Sequence, residues 1–128
     1  MSATQIILLL LGLYIVYSYV RKFAISRKIN HYSASEAKEK IKNPSYILLD
    51  VRTDKERKSG SIRCSVHIPI GQLKSKLGDL NKYKNKEIIC FCRTGSRSLT
   101  AASILYKAGF NAANMKGGIV TWNFSNKK

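Results

Sequence analysis

Ile88-Ile89-Cys90-Phe91-Cys92-Arg93-Thr94-Gly95-Ser96-Arg97-Ser98 is the stretch whose reading decides the fold. Glu87–Phe91 is a short apolar run, the pattern of a strand buried on both faces of a sheet. The second half is polar, centred on glycine, and leads into Ser98–Ala108, where Leu99, Ala102 and Leu105 share one helical face before Gly109 ends the helix. A strand ending at Cys92 and a helix beginning at Arg97 or Ser98 leave a short loop between them. Such a loop gathers backbone N–H groups, and the helix dipole adds about half a positive charge. A cysteine at the lip of that cradle has its thiolate favoured, so its pKa falls from about 8.5, each unit reflecting about 1.4 kcal/mol. Arg93 and Arg97 add full charges nearby. The plainer reading is a buried strand-end cysteine beside two surface arginines. Cys92–Ser98 set between strand and helix is a far more specific pattern than a lone cysteine.

Outward from this loop, strand-like and helix-like segments alternate, which predicts an α/β fold with a mainly parallel central sheet flanked by helices. Ser33-Ala34-Ser35-Glu36 is a capping box opening a helix that ends near Asn43-Pro44. Tyr46–Leu49 reads as a second buried strand, and Thr53–Ser59 as a short helix. His67-Ile68-Pro69-Ile70 is another extended stretch, and Leu73, Leu77 and Leu80 give Gln72–Leu80 a helical spacing. Ala112–Met115 is expected to be the last strand, after which Gly117-Gly118 turns into a terminal helix containing Trp122.

Cys92-Arg93-Thr94-Gly95-Ser96-Arg97-Ser98 resembles the active-site loop of the rhodaneses, the thiosulfate sulfurtransferases. Asp50-Val51-Arg52, Glu56, Gly60-Ser61-Ile62, Ile68-Pro69, Gly109-Phe110 and Gly117-Gly118 with Trp122 also resemble the family's pattern, at its spacing. The likeness covers nearly everything after residue 30. It implies that Cys92 takes a sulfane sulfur as a persulfide and passes it to a thiol or to cyanide. It implies that the backbone of Arg93, Thr94, Gly95, Ser96, Arg97 and Ser98 holds that persulfide, while Arg93 and Arg97 attract an anionic donor such as thiosulfate. Asp50, Arg52 and Glu56 are implied as supports: Arg52 pairing with Glu56, Asp50 bracing nearby loops. Six residues from Cys92 to Arg97 match the sulfur-handling loop length, whereas the related cell-cycle phosphatases carry one more.

One segment departs from the family. Gly60-Ser61-Ile62-Arg63-Cys64-Ser65 stands where relatives usually have Gly-His-Ile-x-Gly-Ala. Cys64 reads as a half-buried filler rather than a thiol that resolves Cys92. Cys90, two residues before Cys92 on a strand, faces the same side and reads as core. Three cysteines make a poor disulfide framework and fit a reducing compartment. His31 and His67 show no metal-ligand pattern, and no cofactor motif appears.

Ala3–Val20 carries no charged residue, and as a helix it measures about 27 Å, close to the hydrocarbon thickness of a bilayer. Tyr14, Tyr17 and Tyr19 cluster where aromatic rings can sit among headgroups. A cleavable signal peptide would want basic residues before the run and a small-x-small site after it, and neither is present. A buried core helix competes, while a surface amphipathic helix fails because the apolar residues cover all sides. Arg21, Lys22, Arg27 and Lys28 lie after the run with no Lys or Arg before it, which places the remainder in the cytoplasm. The organisation expected is a transmembrane anchor with its basic flank (1–25) and a single domain (26–128). One anchor ahead of one such domain also resembles a small bacterial subgroup of the family.

The chain holds 23 Lys+Arg against 7 Asp+Glu, a net charge of +16, so polyanions should attract it. The lysines are scattered, and neither zinc-ligand spacing nor an arginine-rich tract accompanies them. An anionic membrane face and a solubilising surface therefore explain the charge better than a specific nucleic acid. The expectation is a membrane-tethered sulfurtransferase with an anionic donor and a thiol acceptor as partners. The alternative is a tethered binding or regulatory module of the same fold with little turnover.

Overall fold

The computed structural model describes residues 1–126. The expected domain's last two residues, 127 and 128, lie outside them. In chain order the elements are α1 (Ala3–Lys28), β1 (Asn30–Tyr32), α2 (Ala34–Lys40), β2 (Tyr46–Asp50), α3 (Asp54–Lys58), β3 (Val66–His67), β4 (Glu87–Phe91), α4 (Ser96–Lys107), β5 (Asn111–Met115) and α5 (Gly118–Asn126). The five strands form one parallel sheet in the order β1-β5-β4-β2-β3. The α/β reading with a parallel sheet flanked by helices holds.

Every residue of β4 is buried, as its unbroken apolar run requires, and period two sorts its side chains. Ile88 and Cys90, with Cys92 just beyond, join Leu49, Val51 and the inner face of α4 (Ala101, Ala102, Leu105). Ile89 and Phe91 pack on the other face with Leu48, Ala113, Met115, Ala37 of α2, and Ile119 and Trp122 of α5. Because all strands are parallel, their C-terminal ends share one edge, and the loops after β2 and β4 meet there.

Local signals agree with these elements. Ser33 Oγ accepts from Glu36 N at 3.1 Å while the Glu36 carboxylate accepts from Ser33 N at 3.2 Å, completing the capping box of α2. Thr53 and Glu56 make the same arrangement at α3. Gly109, at φ +90°, ends α4, with Phe110 N donating to the Leu105 carbonyl at 3.0 Å.

Three expectations change. Gln72–Leu80 is no α-helix: Ile70–Gln72 and Lys74–Tyr83 form 3-10 turns, interrupted at Lys76 (φ −112°, ψ 16°). Leu73 and Leu80 are still fully buried, because the kink at Lys76 re-phases the chain between Leu73 and the Leu77–Leu80 pair, whose three-residue spacing shares a face. The extended stretch at His67–Ile70 pairs as a strand over Val66–His67 alone. Ile68 N and Ile70 N still donate to the Asp50 and Val51 carbonyls, Pro69 sits at the free edge of the sheet, and the chain then turns at Ile70–Gln72. The helix after Cys92 starts at Ser96, one or two residues earlier than its composition implied.

α1 is one uninterrupted helix, long and apolar enough to cross a membrane, and none of its residues is buried. It continues three residues past the expected boundary at residue 25. There Ile25 packs against the domain, Ile29 is buried in the core, and His31 Nε2 donates to the Ser26 carbonyl at 2.8 Å.

Candidate active site

Cys92 follows the last residue of β4 and is completely buried. Gly95, at φ +118°, turns the chain back over the sulfur, a conformation that L side chains rarely adopt. Its N–H then points at Cys92 Sγ, 3.0 Å away. The Ser98 hydroxyl, from the first turn of α4, stands 3.5 Å from the same sulfur. Burial by itself raises this thiol's pKa. Hydrogen bonds from the Ser98 side chain and from the backbone of Ser98, Gly95 and Thr94 outweigh it, and the pKa ends below the ordinary thiol range. Hydrogen bonds thus lead the stabilisation that the sequence also credited to arginine charge.

A second helix end completes the cradle. α5 begins at Gly118, and the amides of Ile119 and Val120 donate to the carbonyls of Cys92 and Arg93 at 2.9 and 3.3 Å. With those carbonyls turned outward, the loop's N–H groups are left facing inward. The approach requires glycine: a Cβ on Gly118 would lie 2.3 to 2.5 Å from the Arg93 and Cys92 carbonyl atoms. The Gly117-Gly118 pair, legible as a family signature, thus has a mechanical reason.

Asn114 on β5 is a site residue that the sequence reading missed. Its Oδ1 accepts from Ser98 Oγ at 2.6 Å, inside the core. The Ser98 hydroxyl also lies 3.1 Å from the Gly95 carbonyl, so its single proton serves three neighbours. With Cys92 protonated, the S–H can donate to Ser98 and Ser98 to Asn114. With the thiolate, the hydroxyl can turn its proton to sulfur. No local motif marks Asn114, since its partner lies sixteen residues away.

The supporting residues meet, with partners exchanged. Asp50, fully buried at the end of β2, accepts from Arg52 N and Nε at 3.0 Å and from Arg52 Nη2 at 2.9 Å. Arg57 Nη1 at 3.3 Å and Ser61 Oγ at 3.2 Å complete its shell. Burial raises the Asp50 pKa, but the Arg52 guanidinium and amide lead the bonds that hold it below the usual range. Arg52 does not pair with the Glu56 carboxylate. Its Nη1 reaches the Glu56 backbone carbonyl at 3.3 Å, while Nη2 reaches the Gly60 carbonyl at 2.7 Å. The Glu56 carboxylate instead takes both arms of Arg97, at 2.7 and 2.8 Å, and that guanidinium lowers its pKa to about 2. Arg97 is therefore a strut between α3 and α4, already neutralised, rather than a free receptor for anions. Arg93 is exposed and has no carboxylate partner among the described residues. It lines a cleft of about 400 Å³ with Glu56, Ile119, Val120 and Asn123.

Cys64 is exposed rather than half-buried, at φ +66°. It occupies the left-handed turn position where the resembled family carries glycine. The turn keeps its course because Ser61 and Ser65 are tied to Asp50 and Arg57. Cys90 is core as expected, and burial pushes its thiol well up.

Parallel sheet, strand-end cysteine and amide cradle are the features of one family. Residues 33–125 match the model of the rhodanese-like domain, and the chain belongs to that family. A Bacillus subtilis protein described as "Putative sulfurtransferase YtwF" is 36% identical over 101 residues, covering 78% of this chain and 96% of that one. A rhodanese-related protein from Thermoplasma volcanium superimposes with a TM-score of 0.69 at 34% identity, over 75% of this chain and 92% of its own. A rhodanese-like domain protein from Staphylococcus aureus gives 0.68 at 29% identity, over 73% and 91%.

Proposed function

We propose that this protein is a membrane-tethered sulfurtransferase in which Cys92 carries the sulfur. The observation that supports this most directly is the convergence of the Gly95 amide and Ser98 on a buried Cys92 sulfur whose pKa is lowered. The relatives' names add sulfur transfer as the general chemistry.

In the first half-reaction the Cys92 thiolate attacks the outer sulfur of thiosulfate. The sulfur–sulfur bond of the donor breaks, sulfite leaves with the electron pair, and Cys92 becomes a persulfide anion. In the second, an acceptor thiolate or cyanide attacks the outer persulfide sulfur and Cys92 leaves as thiolate. No proton moves in either step when both nucleophiles are anions, so neither Asp50 nor Glu56 needs to act as a base. Arg93 is the cation that draws the anionic donor to the cleft, and the cradle amides hold the persulfide anion.

In this reading α1 crosses the membrane once and the basic flank Arg21, Lys22, Arg27 and Lys28 keeps the catalytic domain in the cytoplasm. A reducing compartment also keeps acceptor thiols available. The test is the intact mass of the purified full chain after thiosulfate treatment. The parent is expected to gain one sulfur atom and to form thiocyanate when cyanide is added. Cys92→Ser should do neither. Full thiocyanate formation by Cys92→Ser would overturn the assignment. A stable adduct on the parent without turnover would make the protein a tethered binding module instead.

A further inference from the structure

We propose that the groove between the end of α1 and the outer face of α4 binds one anionic membrane phospholipid. Lys22, Lys74 and Lys107 hold its phosphate, and Ile25, Leu99 and Ile104 line the groove beside it. The proposal rests on the reading of α1 as a membrane span.

The groove measures about 250 Å³, and its rim brings together lysines from three separate elements of the chain. No carboxylate lines it, and none of the three lysines is in an ion pair among the described residues. The rest of its lining is Ile25 of α1 with Leu99 and Ile104 of α4, joined by the hydroxyl residues Thr100 and Ser103. A cationic rim beside a partly apolar lining is complementary to a phosphodiester joined to hydrocarbon. A free inorganic anion would use the rim and leave the apolar part unfilled.

Depth singles out the membrane as the source. Lys22 and Ile25 lie two and five residues beyond Val20, about 3 and 7.5 Å further along the helix axis. The headgroup layer on each side of a bilayer is about 5–7.5 Å thick, so Lys22 lies within it and Ile25 at its outer edge. The α1 wall of the groove thus lies at headgroup level when Ala3–Val20 fills the hydrocarbon. The α4 wall is held at the same level, because nothing flexible separates it from the span. The helix runs unbroken to Lys28, Ile25 packs on the domain, and His31 clamps the Ser26 carbonyl at 2.8 Å. Leu99 follows Ser98 directly, so one turn of α4 faces both the lipid and the reactive sulfur.

The test uses the full chain, purified in an uncharged detergent and given equal amounts of phosphatidylglycerol and phosphatidylcholine of matched chains. Native mass spectrometry is expected to show one retained phosphatidylglycerol in at least about ten-fold preference over phosphatidylcholine. K74E/K107E, which changes no residue of α1 or of the loop at Cys92, should cut that preference by about ten-fold or more, since each headgroup-facing lysine contributes. Its thiocyanate formation and its resistance to carbonate washing should match the parent. Equal retention of the two lipids, an unchanged preference in K74E/K107E, or displacement of the lipid by millimolar inorganic phosphate would overturn the proposal. Carbonate extraction of the parent chain would overturn the span and the proposal with it. A carbonate-resistant chain without the lipid preference would overturn the lipid site alone.

Discussion

Cys90 and Cys92 lie two residues apart on the same face of one extended run, and both are completely buried. Burial acts on both in the same direction, disfavouring the thiolate. In Cys90 nothing opposes it, and the nearby Cys92 charge adds to it, so that thiol is pushed far up. In Cys92 the amides of the loop and the Ser98 hydroxyl reverse the sign. What separates the thiol with a lowered pKa from the one with a raised pKa is position relative to a strand end. One pleat repeat, about 6.6 Å of chain, carries the side chain from a sheet interior with no free donors to the loop where the Gly95 amide and the first turn of α4 supply theirs.

The strongest way to break this comparison is to make Cys92 resemble Cys90 by removing donors. Ser98→Ala deletes the side chain that leads the lowering of the Cys92 pKa. A hydrogen bond to a charged group contributes roughly 1.5–3 kcal/mol, so persulfide formation near neutral pH should fall by about 10- to 100-fold. The sign follows from the reacting species. In the proposed reaction the thiolate attacks, so the rate should rise with pH through the folded pKa and then level. Ser98→Ala should move that inflection upward while leaving the high-pH plateau near that of the parent. The pH dependence of persulfide formation, read by mass, checks this. An unmoved inflection would assign the thiolate's stability to the backbone amides alone.

Glu56 tests the outer frame of the same cradle. Its pKa is about 2 in the fold and about 4.5 without its partners. A depressed carboxylate pKa stabilises the fold above the unfolded value, and that contribution is lost as pH falls through the folded one. Glu56→Gln should lower stability at pH 7 by about 1 kcal/mol, since both partners are partly exposed and solvent screens the pair. The gap between parent and variant in thermal unfolding should close as pH drops from 4.5 towards 2. A gap that stays constant over that window would show that charge is not what joins Glu56 to Arg97.

Which parts of this site were legible in the sequence follows from where the information resides. The sulfur loop is contiguous, so strand, glycine and helix start could be read in order. The partners of Asp50 and Arg97 could not. Three arginines, Arg52, Arg57 and Arg97, divide the carboxylates of Asp50 and Glu56 among them, and only the folded positions of the loop after β2, α3 and α4 decide which pairs form. Asn114 is an ordinary strand residue until β5 is placed beside β4. The 3-10 course of Lys74–Tyr83 was hidden because Leu77 and Leu80, three apart, share a face in either helix, and the kink at Lys76 absorbs the four-residue step from Leu73. Cys64 looked half-buried because small apolar residues usually are, whereas its exposure follows from a left-handed turn. Apolar spans of helical length depend on no partner, which is why α1 could be read from composition while the groove beside α4 could not.

The smallest expected effect comes from the other half of the comparison. Cys90 is neutral throughout the working pH range, because burial holds its thiol far above it. It therefore offers Cys92 neither a charge nor a proton. Cys90→Ala removes one buried sulfur from between Ile88 and the inner face of α4, leaving a void about the size of a methyl group. Truncations of that size cost about 1 kcal/mol, or a few degrees in the unfolding midpoint of a domain this small. Persulfide formation should remain within a few-fold of the parent, with its pH inflection unmoved. Geometry also argues against exchange between the two sulfurs. Same-face neighbours on a strand have Cα atoms about 6.6 Å apart with parallel side chains, at the far limit of what a disulfide spans. A hundred-fold loss in a folded Cys90→Ala variant, or a shifted inflection, would mean that the two thiols titrate as a pair. The cradle would then no longer account for their difference.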